Sequence, residues 1–317
     1  MNLLFELSGE NQRIAAAEIS CAANVYRTEN GAALAVSDDP QKAKRLAQTH
    51  TVSKLLGECG GTKDELIQLL DELNITASGT YCCRAKKIYP ASVDASQLDL
   101  EKMMGQKISG KVSLKCPDTE YRAVFTGGRC FLCEKLFEID RGSYAYRNPQ
   151  RREFFHPGVM MPLMARTIVN LTHVESGELL LDPFCGTGGM LLECRMLGVR
   201  SVGSDYDPEM LEGCRKNLKD VFCIRADAEN MPYGEETFDA IATDLPYGQS
   251  TKISADSLES LYIGSLKEMH RVLKSGKRAV IVTHKDIRSL VNGFKIEDYF
   301  EQRVHKSLTR RILVLSK

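Results

Sequence analysis

Residues 178–190 read Glu-Leu-Leu-Leu-Asp-Pro-Phe-Cys-Gly-Thr-Gly-Gly-Met, and this stretch decides the fold. An apolar run ends in Asp182, a glycine-rich turn follows, and the apolar spacing of residues 190–197 predicts a helix. Glycines in a strand-to-helix turn let a ligand approach the backbone closely, and the first N–H groups of the helix point at that ligand. The sequence therefore predicts a ligand site at this turn.

The spacing of the glycines indicates which ligand the turn binds. A dinucleotide-binding turn has a third glycine in the helix, but the position three after Gly188 is Leu191. The strand also ends in Asp182, an acid that can meet the methionine ammonium group of S-adenosylmethionine. Both features favour S-adenosylmethionine over a nicotinamide cofactor.

Two further acids follow at the ends of apolar runs. Asp205 ends the run 202–205, about 20 residues after Asp182, where an acid would bind the two ribose hydroxyls. Asp227 follows the run 222–226 and suits the adenine amino group. A lone acid at a strand end is usually a helix cap. A series of such acids, each closing an apolar strand, favours a cofactor site instead.

The fourth acid opens the tetrad Asp244-Leu245-Pro246-Tyr247, which follows the apolar run 238–243. The nitrogen of an exocyclic amino group on a base is a poor nucleophile, because its lone pair is delocalised into the ring. The Asp244 carboxylate and the Leu245 carbonyl can accept its two hydrogens, and the Tyr247 ring can stack on the base. Pro246 stiffens the turn. The tetrad therefore predicts methyl transfer to a base amino group.

Composition limits the remaining possibilities. The 317 residues carry 42 basic and 42 acidic side chains, so a nucleic-acid site has to be a local patch. We see no membrane-spanning run and no signal-peptide pattern, and nothing requires a protein partner. Eleven cysteines without an export signal indicate buried thiols in a reducing compartment, so we expect a cytoplasmic protein.

Metal binding is not expected. Cys130 and Cys133 form one C-x-x-C pair, but no histidine lies at zinc-site spacing from them, and the histidines do not cluster. Positions in a strand explain the pair better. We therefore predict no metal site.

The order of the predicted elements divides the chain into two halves. The first half has mixed α+β character, with helices predicted at residues 11–23, 63–73 and 98–104 and strands at 2–7, 32–36, 81–89, 112–114, 121–125 and 130–136. From residue 178 onward strands and helices alternate, which predicts a doubly wound parallel α/β sheet. Two final strand-like runs, 299–306 and 310–315, predict a terminal antiparallel hairpin.

Residues 152–166, Arg-Glu-Phe-Phe-His-Pro-Gly-Val-Met-Met-Pro-Leu-Met-Ala-Arg, extend the pattern upstream. Together with the Asp182 and Asp244 motifs, this segment resembles the archaeal tRNA guanosine-10 N2-methyltransferase family. The resemblance implies a ferredoxin-like domain at 1–50, a THUMP-type RNA-binding domain at 51–140 and a linker at 141–155. A class I methyltransferase domain with a Rossmann-like, seven-stranded sheet would follow at 156–317. One departure is Leu245, where many relatives have proline.

The resemblance also implies the reaction and its residues. The protein would transfer methyl from S-adenosylmethionine to N2 of a guanosine in tRNA, with Asp244 as the catalytic residue and Tyr247 against the guanine. His156 and Pro157 would line the cofactor pocket. Combined with the motifs above, the predicted cofactor-binding set is His156, Pro157, Asp182, Phe184, Gly186, Gly188, Asp205, Tyr206, Asp227 and Ala228.

Candidates for RNA contact lie in the first half. Arg84 and Lys86 share one face of a predicted strand, because side chains alternate with a period of two. The full predicted set is Arg84, Lys86, Lys87, Arg122 and Arg129.

Two other functions compete with this interpretation. A DNA adenine-N6 methyltransferase would use the same tetrad, but the first half contains no helix-turn-helix and no strongly basic stretch. A non-catalytic RNA-binding protein with a vestigial cofactor fold would not need all four strand-end acids. The pattern leaves open whether one or two methyl groups are added, and the tRNA position rests on the resemblance.

Overall fold

The computed structural model describes residues 1–8, 11–248, 255–305 and 308–317. The chain divides into two compact units, Met1–Asp140 and Arg141–Lys317. Within the described ranges, no helix is both long and apolar enough to cross a membrane.

The first unit contains one mixed sheet with helices packed on it. Its described strands are β1 (Asn2–Leu7), β2 (Asn24–Glu29), β3 (Ala32–Val36), β4 (Thr49–Gly60), β5 (Thr76–Lys87), β6 (Ser109–Val112), β7 (Thr119–Thr126) and β8 (Arg129–Glu138). They are hydrogen-bonded in the order β2-β3-β1-β4-β8-β7-β5-β6. The helices are α1 (Gln12–Ile19), α2 (Lys63–Leu73) and α3 (Gln97–Lys107).

Local signals explain where the helices begin. The Asn11 side chain caps α1 by accepting the Ile14 N–H at 3.2 Å, so the predicted residue 11 is the cap. Thr62 and Glu65 form a reciprocal capping box at the start of α2. The apolar stripe of α2 then buries Leu66 and Leu70 against the sheet.

Two strands of this sheet were not predicted. β2 alternates only between exposed and half-buried side chains. In β4 the polar residues Thr49, Thr51 and Ser53 are buried, so its sequence does not alternate between apolar and polar residues. The predicted boundary at residue 50 falls inside β4. One continuous sheet therefore runs through residues 2–138, and its division into ferredoxin-like and THUMP-type parts stays a prediction.

The second unit contains the predicted α/β sheet. Its described strands are β9 (Leu179–Asp182), β10 (Arg200–Asp205), β11 (Phe222–Arg225), β12 (Phe238–Asp244), β13 (Leu273–Thr283), β14 (Lys295–His305) and β15 (Leu308–Ser316). The order is β11-β10-β9-β12-β13-β15-β14. β9 to β13 pair in parallel, whereas β15 is antiparallel to both neighbours, which confirms the terminal hairpin. The helices are α4 (Pro162–Leu171), α5 (Gly189–Met196), α6 (Pro208–Asn217) and α7 (Ala255–Val272).

The segment predicted as a linker, residues 141–155, is packed into the second unit. It forms two short 3₁₀ helices, Arg141–Arg147 and Pro149–Arg151. The buried Arg147 guanidinium lies 2.8 Å from the Glu193 carboxylate of α5, and Arg166 lies 2.8 Å from its other oxygen. A fully buried carboxylate needs such partners. Arg147 of this segment is therefore part of the core, whereas Arg151 is exposed.

Candidate active site

A cleft of about 240 Å³ lies at the carboxyl ends of β9 and β12, where ligands bind in open α/β sheets. Its lining residues come from the segment before α4, the glycine turn after β9 with the start of α5, one residue of α6, and the tetrad after β12. They are His156, Pro157, Gly158, Val159, Met160, Asp182, Phe184, Cys185, Gly186, Thr187, Gly189, Met190, Met210, Asp244, Leu245 and Tyr247. Segments that are far apart in sequence thus line one cleft.

The glycine turn has a backbone that few other residues could adopt. Gly186 and Gly188 have φ angles of +50° and +85°. A Cβ at Gly188 would also lie 2.8 Å from the Cys214 sulfur and 2.7 Å from the Leu218 side chain. Gly188 therefore packs against α6 rather than lining the cleft, while Gly186 borders the cleft.

Asp182 presents a buried carboxyl group to the cleft. It accepts a hydrogen bond from the Thr243 hydroxyl at 2.8 Å and from the Phe184 N–H at 3.2 Å. Burial raises its pKa to about 7, and the charges of Asp205 and Asp244 act in the same direction. No ion pair among the described residues includes Asp182, so a cation in the cleft would be stabilised next to it.

Asp205 is engaged with the backbone. Its carboxylate accepts the Gly186 N–H at 2.8 Å and the Asp207 N–H at 3.0 Å, and burial raises its pKa. It therefore ties the glycine turn to the end of β10. The neighbouring Tyr206 is exposed, with the Arg225 guanidinium 5.2 Å from its ring centre.

The remaining predicted cofactor residues lie outside the cleft lining. Asp227 accepts the Glu229 N–H at 2.9 Å and so closes a turn, and Ala228 is buried beside it. The cleft thus unites His156, Pro157, Asp182, Phe184 and Gly186 of the predicted set. It does not include Gly188, Asp205, Tyr206, Asp227 and Ala228. Their cofactor contacts stay predictions.

The tetrad after β12 has a defined internal geometry. The Tyr247 hydroxyl donates a hydrogen bond of 2.9 Å to Oδ1 of Asp244. Burial raises the pKa of Asp244 to about 6, against the lowering effects of the Arg310 charge and the Tyr247 hydrogen bond. The Pro246 carbonyl accepts the Tyr262 hydroxyl of α7 at 2.6 Å, and the Leu245 N–H donates to the Val282 carbonyl at 2.9 Å. These bonds hold the tetrad between β13 and α7.

Two residues of this site were missed by the sequence analysis. The charge of Arg310, on β15, acts to lower the pKa of both Asp244 and Tyr247. The His284 ring, just after β13, lies 4.9 Å from the Tyr247 ring at 40°. Neither residue belongs to a recognisable local motif. Only the pairing of β12, β13 and β15 brings them to the tetrad.

The residues predicted to contact RNA are all paired within the first unit. Lys86 and Arg122 bind the buried Glu6 at 2.7 and 2.8 Å. The other contacts are Arg84 with Glu101 at 3.7 Å, Arg129 with Glu58 at 3.5 Å, and the Lys87 ammonium with the Val93 carbonyl at 3.2 Å. RNA contact by these five residues stays a prediction, and Arg122 in particular is structural.

No metal site is found among the described residues, and all eleven cysteines are free thiols. Cys130 and Cys133 are buried in β8, where a hydrogen bond with Cys59 and burial raise the pKa of the Cys130 thiol and burial raises that of Cys133. Their spacing is explained by packing in the sheet.

Comparisons with known proteins agree with this architecture. A family described as RMKL-like, methyltransferase domain, matches residues 149–312. A tRNA (guanine(10)-N2)-dimethyltransferase of Methanothermobacter thermautotrophicus is 33% identical over 100% of both chains. One of Pyrococcus abyssi is 33% identical over 86% of this chain and 85% of its own.

Solved structures show the same fold. TrmN from Thermus thermophilus superposes with a TM-score of 0.53 at 19% identity, and the match covers 100% of both chains. At this identity the likeness concerns the fold alone, which is that of a class I methyltransferase carrying an additional N-terminal unit. Taken with the full-length relatives, these matches show that the chain belongs to the archaeal tRNA (guanine(10)-N2)-methyltransferase family.

Proposed function

We propose that this protein transfers methyl from S-adenosylmethionine to the exocyclic N2 of a guanosine in tRNA. The observation that carries the proposal is the tetrad: the half-buried Asp244 carboxylate, whose pKa is raised to about 6, borders the same cleft as the glycine turn and the aromatic Tyr247. The names of the full-length relatives support guanosine-10 as the target and two methyl groups as the final product.

The cleft fits S-adenosylmethionine in its chemistry. Asp182 is a buried carboxyl group without a cationic partner among the described residues, and the ligand carries an ammonium group. The Gly186 backbone allows close approach, and Phe184 and Met190 offer apolar contact. When bound, S-adenosylmethionine supplies the electrophilic methyl group. Asp205 would contribute to cofactor binding in two ways: it holds the glycine turn in place, and it accepts hydrogen bonds from the ribose hydroxyls.

Asp244 and the Leu245 carbonyl orient the target nitrogen. Each accepts one of the two N2 hydrogens, which directs the nitrogen lone pair toward the cleft. With a pKa of about 6, Asp244 is mostly an anion at neutral pH. It opposes the positive charge that develops on N2 and is basic enough to take the released proton.

Tyr247 captures the base. The guanosine must leave its helix to reach a half-buried carboxylate, and stacking on an aromatic ring offsets about 1–3 kcal/mol of the unstacking cost. The His284 ring supports one side of Tyr247 and limits how the phenol can turn. Binding of the base would replace the Tyr247 hydrogen bond to Asp244 with one from N2.

We assign distant RNA contacts to the first unit, with a ferredoxin-like part at 1–50 and a THUMP-type part at 51–140. The likeness to the tRNA methyltransferase of Methanothermobacter thermautotrophicus extends through this unit, which supports the assignment. A chain that begins at Arg141 would then bind the cofactor but lose most activity on tRNA. A start at Arg151 is unsuitable, because it removes Arg147 and leaves Glu193 with one fewer cation. A tRNA substrate and eleven free thiols favour the cytoplasm.

Nucleoside analysis tests the proposal. An unmodified tRNA transcript incubated with the protein and S-adenosylmethionine should yield N2-methylguanosine and N2,N2-dimethylguanosine. A transcript with inosine at position 10 lacks the N2 amino group and should yield neither. Duplex DNA should remain unmodified. Methylation of adenine N6, or no transfer to any RNA, would contradict the proposal.

A further inference from the structure

Strand register brings a second set of polar side chains beside the tetrad. Asp244 pairs with Val282 of β13, and Val282 pairs with Ile312 of β15. These three residues form one row across the sheet. Because side chains two positions apart share a face, Arg310 lies on the same face, one row beyond Ile312 toward the carboxyl ends of β12 and β13.

The next strand continues that outer row. Arg310 pairs with Gln302 of β14, and His284 follows Val282 by two positions. The outer row therefore contains Arg310 and Gln302 on the face that carries Asp244. His284, just after the end of β13, extends this row: its ring lies 4.9 Å from the Tyr247 ring of the tetrad. Two strands and the segment after a third thus contribute one polar side chain each at the rim of the site.

Each of these side chains has a buried polar atom without a hydrogen-bond partner among the described residues. The atoms are Nδ1 of His284, Oε1 of Gln302 and Nε of Arg310. Buried polar atoms are nearly always hydrogen-bonded in folded proteins. Three such atoms at the rim of the site, next to the half-buried Asp244 carboxylate, indicate a place built for a polar ligand.

Arg310 is the member of the row that reaches the tetrad. Its charge acts to lower the pKa of both Asp244 and Tyr247, so the guanidinium lies near the ring proposed to stack on the base. Its Nε is nevertheless left without a partner. An arginine offers donors only. A base that stacks on Tyr247 would therefore need a hydrogen-bond acceptor where it faces the Arg310 guanidinium.

We propose that Arg310 determines the specificity for guanine by donating hydrogen bonds to the O6 edge of the target base. This inference rests on the proposed function. When Asp244 holds N2, the opposite end of the same guanine edge is the O6 carbonyl, an acceptor that arginine binds well. Adenine has an amino group at position 6, and its hydrogens would oppose the guanidinium donors. The polar row thus separates guanine from adenine without any contact to N2.

A base analogue without O6 separates recognition of O6 by Arg310 from a general effect of Arg310 on catalysis or on the fold. 2-Aminopurine keeps the exocyclic amino group at position 2 but lacks O6. We expect the wild-type protein to methylate a guanosine-10 transcript about 10- to 100-fold faster, in kcat/KM, than a transcript with 2-aminopurine at that position. Arg310→Ala should lose a similar factor on guanosine, change less than about threefold on 2-aminopurine, and so bring the ratio near one.

The matched control is an arginine of the neighbouring strand. Arg303 of β14 is exposed and faces the opposite side of the sheet from Gln302, so Arg303→Ala should keep the wild-type ratio. Arg310→Lys keeps the charge with a single donor group and should give an intermediate ratio. If 2-aminopurine turnover falls below detection, 6-thioguanosine, whose sulfur is a weaker acceptor, gives the same comparison with a smaller ratio.

The outcomes distinguish this inference from the proposed function. Wild-type protein that methylates no guanosine overturns the proposed function. Equal losses on guanosine and 2-aminopurine in Arg310→Ala, with the ratio unchanged, would show that Arg310 acts only on the Asp244 charge or on the fold. A normal rate on guanosine in Arg310→Ala would also overturn the inference.

Discussion

Glu6 in the first unit and Asp244 in the second are both carboxylates on strands, yet their surroundings differ: Glu6 is fully buried in the sheet, whereas Asp244 is half-buried at the cleft. Glu6 has two cationic partners, Arg122 at 2.8 Å and Lys86 at 2.7 Å. Asp244 accepts one phenolic hydrogen bond, and the nearby charge of Arg310 only partly offsets its burial.

The difference separates structural from reactive carboxylates. A buried charge is expensive unless it is paired, and the first unit pairs Glu6 fully. The second unit does the same for Glu193, but it leaves Asp182 and Asp244 with pKa values raised to about 7 and about 6. Carboxyl groups perturbed in this way, and gathered at one cleft, are typical of reaction sites.

The largest expected effect is on catalysis. Asp244→Asn keeps the size of the side chain but removes the charge that opposes the developing cation on N2, and we expect kcat to fall on the order of 10²–10³-fold. Affinity for S-adenosylmethionine and tRNA should stay nearly normal. The control is Asp239→Asn on the same strand, where the carboxylate pairs with Lys274 at 2.8 Å. Near-normal turnover in Asp244→Asn would mean that the tetrad is scaffold.

The next effect is on stability, where we expect the substitution of Glu6 to matter more than that of Asp244. Glu6→Gln leaves Arg122 and Lys86 without their shared partner, and we expect the first unit to lose roughly 3 kcal/mol of unfolding free energy. Asp244→Asn removes an uncompensated charge and should not destabilise the second unit. Hydrogen exchange of β1 and β7 peptides, compared with β12 peptides, measures each unit within the full chain. If the β1 and β7 peptides were protected from exchange equally well in Glu6→Gln and in Asp244→Asn, the proposed difference between the two carboxylates would be wrong.

Asp205 tests the intermediate case, a site carboxylate compensated by backbone N–H groups. Asp205→Ala removes the acceptor for the proposed ribose hydroxyls and also releases the Gly186 N–H. We expect S-adenosylmethionine binding to weaken by about 1.5–3 kcal/mol, measured by calorimetry. Asp220→Ala, on an exposed carboxylate away from the cleft, serves as the control. Unchanged affinity in Asp205→Ala would reject the ribose assignment.

The smallest effect is the pH dependence. The reactive form of Asp244 is the carboxylate, so kcat at saturating cofactor should fall below pH 6 and be about tenfold lower at pH 5 than on the plateau. The stability contribution has the opposite sign, because a raised pKa favours the folded state at low pH and the contribution is lost as pH rises through about 6. A pH-rate profile that is flat between pH 5 and 8 would exclude Asp244 as the titrating group.

The prediction from sequence succeeded where the signal was local. The apolar run, the acid and the glycines of residues 178–190 are contiguous, so β9, the turn and α5 follow from neighbouring residues. The tetrad is equally local. β4 was missed, because its strand character depends on partners far along the chain. The packing of Arg147 against Glu193 could not be predicted from residues 141–155 either, because Glu193 lies on a distant helix.

The sequence by itself determined the α/β class, the terminal hairpin and the acids at the strand ends, because alternation, glycine spacing and turn residues act over a few positions. The tertiary structure alone decided that Asp182 and Asp244 border one cleft, that Asp205 binds the glycine turn, and that Arg310 lies near Tyr247. These relations depend on strand order and register across the sheet, and side chains on β9, β12 and β15 become neighbours only when those strands pair.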